Sequence, residues 1–139
     1  MNPDFADAAE RHWEDGELLL TAQRLANADH LLGLSAECSL KAVMLGLGMT
    51  LRPSGAPEER RHQVHINRLW DEFQTFASDR GGAHYAAILS RVPAPFDGWN
   101  ISDRYASRAD IEPASVSRHQ LGARRARTCL QEAMLDGVL

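Results

Sequence analysis

This chain of 139 residues is short of several features, and each shortage removes a class of function. Lysine occurs once, as Lys41, against fourteen arginines, a skew that fits genomic codon bias and by itself implies no partner. Cysteine occurs twice, as Cys38 and Cys129, on separate predicted helices. Such residues make no metal-type pair and read as buried free thiols of a reducing compartment. No apolar run reaches the roughly eighteen uncharged residues a membrane span needs, because Asp29, Glu37 and Lys41 interrupt the best candidate. The opening MNPDFADAAER is acidic and has no basic segment ahead of an apolar core, so no secretory signal is expected. A cytoplasmic location is the expectation that follows.

The signatures of common chemistries are also missing. There is no Gly-x-x-x-x-Gly-Lys loop, no Gly-x-Gly-x-x-Gly fingerprint and no Gly-x-Ser-x-Gly elbow. His62, His65 and His84 form the nearest approach to a metal cluster, but no His-Glu-x-x-His or Glu-x-x-His pattern supplies further ligands. No metal and no cofactor is expected. Strand-like alternation, internal repeats and low-complexity tracts are absent too.

What the sequence has in quantity is helical periodicity. At this length, with 44% hydrophobic and 24% charged residues, it is expected to form a single domain over residues 1–139. The stretch Asn27 to Gly48 is the most apolar, and Leu31, Leu32, Ser35, Ala36, Leu40, Val43 and Leu47 recur at helical spacing. Asn27 is the expected N-cap, and Gly46 and Gly48 offer stops. A first helix is expected from Pro3 to about Arg24, with Asn2 as cap, Pro3 in the first turn, and Asp4 and Asp7 at the positive dipole end. Its stripe is Phe5, Ala9, Trp13, Gly16 and Leu20, and Gly16 there marks a close approach of a neighbouring helix. The link between the two helices is so short that they should form an antiparallel hairpin.

Further on, the spacing predicts a helix from Val64 to about Ser78 burying Ile66, Leu69, Trp70, Phe73 and Phe76, and a short one from Ala83 to Arg91. A long connection, Val92 to Glu112, carries Phe96, Trp99, Ile101, Tyr105 and Ile111, which should pack down onto the bundle. The last helix is expected from near Pro113 to Asp136, burying Val116, Leu121, Ala126, Cys129, Leu130 and Ala133, with Gly137 as terminator. The expected fold class is all-α, an antiparallel bundle of four to five helices with one long ordered loop before the last.

Charge is unevenly spread over this plan. Residues 1–50 hold three basic and eight acidic side chains, whereas residues 104–127 hold six arginines against Asp110 and Glu112. That local excess either faces a polyanion or pairs with the acidic first helix. Within the central helix, Glu37 and Lys41 stand four residues apart in an apolar setting. An exposed pair of this orientation is worth about 0.2–0.5 kcal/mol, but burying both charges costs several kcal/mol per ion unless each is paired. The pair therefore lies half exposed at a cleft or subunit surface, or its members meet other partners. Arg104 and Tyr105 are the candidates for Glu37.

The run from Trp13 to Lys41, with Ala36-Glu37-Cys38-Ser39-Leu40-Lys41 as its most specific part, resembles the first helical hairpin of HEPN domains. The segment beginning His65-Ile-Asn-Arg-Leu-Trp resembles that superfamily's third-helix start, and Trp99 to Arg104-Tyr105 resembles its arginine–tyrosine loop. The resemblance implies a homodimeric helical bundle that binds a nucleotide, RNA or a protein, such as a nucleotidyltransferase-like partner, in toxin–antitoxin or defence systems. Glu37, Lys41, Arg104, Tyr105 and Arg108 are the candidate binding residues, while a structural buttress is the leading role expected for the Glu37–Lys41 pair itself. Many members are metal-independent endoribonucleases with Arg-x(4–6)-His near the start of a late helix. There a histidine moves a proton and an arginine offsets phosphate charge. Around His119 that spacing is missing, since Arg104, Arg108 and Arg118 lie fifteen, eleven and one residues before it. The literal match, Arg60 to His65, precedes the third helix instead. The expectation is thus a non-catalytic module, with Arg60, His65 and His119 as the catalytic residues of the ribonuclease alternative.

Overall fold

A computed structural model describes all residues, 1–139. It contains five α-helices: α1 (Phe5–Thr21), α2 (Leu25–Gly46), α3 (Ile66–Ser78), α4 (Ala83–Ser90) and α5 (Pro113–Leu135). Short 3-10 turns at Arg60–His62, Ile101–Tyr105 and Arg108–Asp110 punctuate the connections, and there is no strand. The fold is all-helical, as the periodicity predicts.

The central helix is central in space as well. α2 packs on α1, α3 and α5, and its Leu32, Leu40, Val43 and Met44 are wholly buried. Each such side chain contributes about 1.5–3 kcal/mol of burial free energy. α1 and α2 form the expected hairpin, closed by Gln23 in the left-handed conformation with φ of 59°. The close approach marked by Gly16 is real: a Cβ there would stand 3.1 Å from Leu32 Cδ2. Ser35 reinforces the contact by donating to Ala9 O at 2.8 Å across the two helices.

Several boundaries differ from expectation, each for a local reason. α1 starts at Phe5 because the Asp4 side chain accepts from Asp7 N at 2.9 Å, a cap that Asn2 does not make. It ends at Thr21, since the left-handed Gln23 turns the chain. α2 begins at Leu25, two residues before the expected cap, with Arg24 as N-cap and no capping side-chain bond. Gly46 is the last residue of α2, and Gly48, with φ of 102°, completes the turn away. α3 begins at Ile66 with His65 as its N-cap.

The long connection after α4 is ordered by two aromatic anchors. Phe96 and Trp99 are both 1% exposed. Trp99 lies over Gly33 of α2, where an alanine Cβ would fall inside the indole, and its Nε1 donates to Asp29 O at 3.1 Å. Phe96 rests on Gly122 of α5, where a Cβ would come 2.6 Å from the ring. Tyr105 does not join them, being 78% exposed, and Ile101 and Ile111 are half-buried. In α5 the inward face is Val116, His119, Gly122, Ala123, Ala126, Cys129, Leu130 and Ala133, and Leu121 is exposed. A histidine and a glycine at inward positions hide that face from an apolar pattern.

The arginine-rich segment pairs with the acidic first helix at one point. Arg127 makes two bonds to Glu10, at 2.7 and 3.1 Å, and lies over the Trp13 ring. Arg104, Arg108, Arg118 and Arg124 are exposed and form no ion pair. No helix is long and apolar enough to cross a membrane.

Candidate functional site

His30, Glu37 and Lys41 lie on α2 at intervals of seven and four residues, which places all three on one side of the helix. Glu37 is 8% and Lys41 9% exposed, so this is a buried ion pair with Nζ to Oε1 at 2.8 Å. The second carboxylate oxygen meets His65, the cap residue of α3, with Oε2 to Nδ1 at 3.0 Å. Glu37 thus answers two partners, and neither is Arg104 or Tyr105, the partners expected from sequence. Arg104 donates instead to Ile101 O at 2.9 Å, and its guanidinium lies 4.5 Å over the Tyr105 ring.

The contact with Glu37 fixes the role of each His65 nitrogen. A carboxylate whose other oxygen is held by an ammonium accepts, so Nδ1 carries the proton and donates. Nε2, a lone-pair acceptor in the neutral imidazole and a donor in the imidazolium, makes no hydrogen bond within the chain and belongs to a side chain 47% exposed. This is the arrangement of an imidazole oriented for proton transfer or for accepting a hydrogen bond from a ligand.

Two further histidines belong to this face, and sequence reasoning missed both. His12 comes from α1 and His30 from the first turns of α2. Burial pushes the pKa of each below the ordinary value, with Arg11 adding to the effect at His12 and Arg104 at His30. His12 lies within electrostatic reach of His30 and Glu37, and His30 within reach of His65. His30 also stacks on Trp99, with ring centroids 5.9 Å apart and planes at 15°. The signal that could have found it is the seven-residue interval from Glu37, two helical turns on the same side.

At the start of α3 lies an open groove of about 550 Å³ lined by Arg60, Arg61, Val64, Asn67, Arg68, Asp71 and Glu72, with His65 outside its lining. Arg61 is held by Glu59 at 2.7 Å, while Arg60 and Arg68 form no ion pair. The two unpaired guanidiniums offer donors of the kind a phosphate takes, set against the Asp71 and Glu72 carboxylates of the same groove. Arg108 lies elsewhere, in a hollow of about 350 Å³ with Gln23, Arg24, Leu25, Ala26, Asn27 and Ala106 at the start of α2.

His119 is not part of this face. It is 3% exposed, and its Nδ1 lies 2.6 Å from Asp29 Oδ1, itself 4% exposed. Phe96 stacks on its ring, and Nε2 is buried without a partner. It cannot exchange a proton with an external ligand while the loop is seated. His62 and His84 also stand apart, the first buried edge-on to Phe76 and the second against Asp136 at 3.3 Å. No three side chains of the metal-ligating types converge as a metal site. Cys38 and Cys129 are free, and burial raises their thiols to about 11 and about 12, so they are inert at neutral pH.

No family model, curated protein or solved structure matches this chain.

Proposed function

We propose that the chain is a HEPN-like helical module that acts as a homodimer and binds the phosphate-bearing backbone of a nucleotide or RNA on the α2–α3 face. The observation that carries this reading is the buried Glu37 carboxylate, which holds Lys41 and the α3 cap residue His65, together with the unpaired Arg60 and Arg68 of the groove at the start of α3. A buried ion pair is weak support for stability, because apolar residues of the same size often do as well. The pair gives His65 a fixed orientation. A toxin–antitoxin or defence setting, with a nucleotidyltransferase-like partner, is the biological context this reading carries from the resemblance.

The test is binding and mass together. Wild-type protein is expected to raise the fluorescence anisotropy of a labelled single-stranded RNA, and to scatter light as a species of twice 15.4 kDa. No anisotropy change at high micromolar protein contradicts the ligand, and a mass of 15.4 kDa contradicts the dimer.

A second reading, a metal-independent endoribonuclease, draws on the free Nε2 of His65 five residues after Arg60. On it, His65 takes the 2′-hydroxyl proton and Arg60 offsets charge on the scissile phosphate. Cleavage of mixed RNA in the presence of EDTA should then vanish in His65→Ala. Cleavage that survives this change, or its absence in wild type, rules the reading out.

A further inference from the structure

Tyr105 closes the turn Ile101–Tyr105 and is the one aromatic side chain among the large exposed apolar residues of the chain. An aromatic ring left in water usually belongs to a mobile tip. This one stands on a pinned support. Trp99, six residues earlier, is seated on Gly33, and the Asn100 side chain accepts from Ser102 N at 2.8 Å. Asp103 in turn accepts from Asn100 N at 3.0 Å, completing a reciprocal cap. Arg104 is tied back to Ile101 O and covers the ring from one side. No other residue of the chain stacks on Tyr105.

The support also places the ring at one end of the polar face. The turn packs on α2, and Arg104 and His65 are both close enough to His30 to act on its charge. From His30 to Lys41 the helix rises about 16 Å, the length of a few nucleotides of extended strand. The unpaired Arg60 and Arg68 line the groove at the start of α3, the helix that His65 caps.

We propose that Tyr105, with Arg104, is a stacking platform for an unpaired base of single-stranded RNA, whose backbone runs along α2 toward His65 and the groove of Arg60 and Arg68. The inference rests on the nucleotide or RNA reading of that face and adds the form of the ligand. A duplex hides its base faces, whereas a single strand offers a free π-face whatever the sequence. The guanidinium next to the ring serves the adjacent phosphate or a neighbouring base.

The test uses the full chain and three fluorescein-labelled probes of ten nucleotides: oligoadenylate, an abasic ribose-phosphate strand, and a blunt RNA duplex. Tyr105→Ala is expected to weaken oligoadenylate binding about tenfold or more, with Tyr105→Trp restoring it. The abasic strand should bind wild type as weakly as oligoadenylate binds Tyr105→Ala, and the duplex should bind more weakly than the single strand. Because the ring is exposed, both variants should melt with wild type. Oligoadenylate binding by Tyr105→Ala within twofold of wild type overturns the platform while leaving the RNA reading intact. Equal binding of abasic and adenylate strands does the same. Failure of wild type to bind any probe overturns both. Unchanged RNA affinity with loss of dimer mass in Tyr105→Ala overturns the platform and assigns the ring to a second copy of the chain.

Discussion

Two histidine–carboxylate pairs are built on the same helix, and they have opposite surroundings. Asp29 and Glu37 lie eight residues apart on α2. Asp29 reaches inward to His119 of α5 at 2.6 Å, with both side chains at most 4% exposed. Glu37 reaches His65 at 3.0 Å, with the carboxylate nearly buried and the imidazole 47% exposed. The first pair is stacked beneath Phe96, and its remaining imidazole nitrogen meets nothing. The second keeps its imidazole half open to solvent. The same chemical unit is sealed in the core in one place and half open to solvent in the other. Burial of the imidazole is the difference between them.

The largest expected effect comes from breaking the inner pair. Asp29→Ala leaves both nitrogens of a buried imidazole without partners, and should cost about 3 kcal/mol in urea unfolding. The Trp99 indole N–H donates to the Asp29 backbone carbonyl, which alanine keeps, so the loop anchor should stay seated and tryptophan emission should not shift. A loss under 0.5 kcal/mol would mean that the inner pair is no clasp.

A smaller effect is expected from the outer pair, with a diagnostic rescue. Glu37→Ala strands Lys41 at 9% exposure and should cost about 2 kcal/mol. Adding Lys41→Met removes the stranded charge and should restore most of that stability, without restoring RNA binding, since His65 stays unoriented. A double variant as unstable as the single one would contradict the stranded charge, and one that regains RNA binding would contradict the assignment of Glu37 to orientation.

The smallest effect is on pH dependence. His12, His30 and His62 have pKa values lowered chiefly by burial, so the unfolded chain binds more protons than the folded one just below neutrality. Their contribution to stability is complete above the unfolded value near 6.5 and is lost as pH falls through the lower folded values. Melting temperature should therefore decline from pH 7 to pH 5, and His30→Gln should flatten part of that decline. An unchanged slope in the variant would remove His30 from the account.

The fold was more legible in the sequence than the site. Apolar spacing in α2 and α3 locates both helices to within two residues or so, because Leu32, Leu40, Ile66, Leu69 and Phe73 face a single core. The α5 face was partly hidden, because His119 and Gly122 occupy inward positions where apolar residues were sought, and Leu121 points out. Glu37 and Lys41 stood out as charges inside an apolar run, and they do anchor the polar face. Their partner His65 could not be matched to Glu37 from spacing, since twenty-eight residues and a turn-rich loop separate them. His12 and His30 went unnoticed because a single histidine on a helix has no periodic signature. Tyr105 was expected to pack and does not, because hydrophobicity alone does not distinguish an anchor such as Trp99 from a displayed ring.

The central claim is that the outer pair faces a ligand and the inner pair holds the structure. It is tested most directly by one side-by-side anisotropy titration of labelled single-stranded RNA with His65→Gln and His119→Gln, both below their melting temperatures. The account predicts at least a fivefold loss of affinity in His65→Gln, and near wild-type affinity in the folded His119→Gln protein. Equal affinity for wild type and His65→Gln, with the loss confined to His119→Gln, would contradict it.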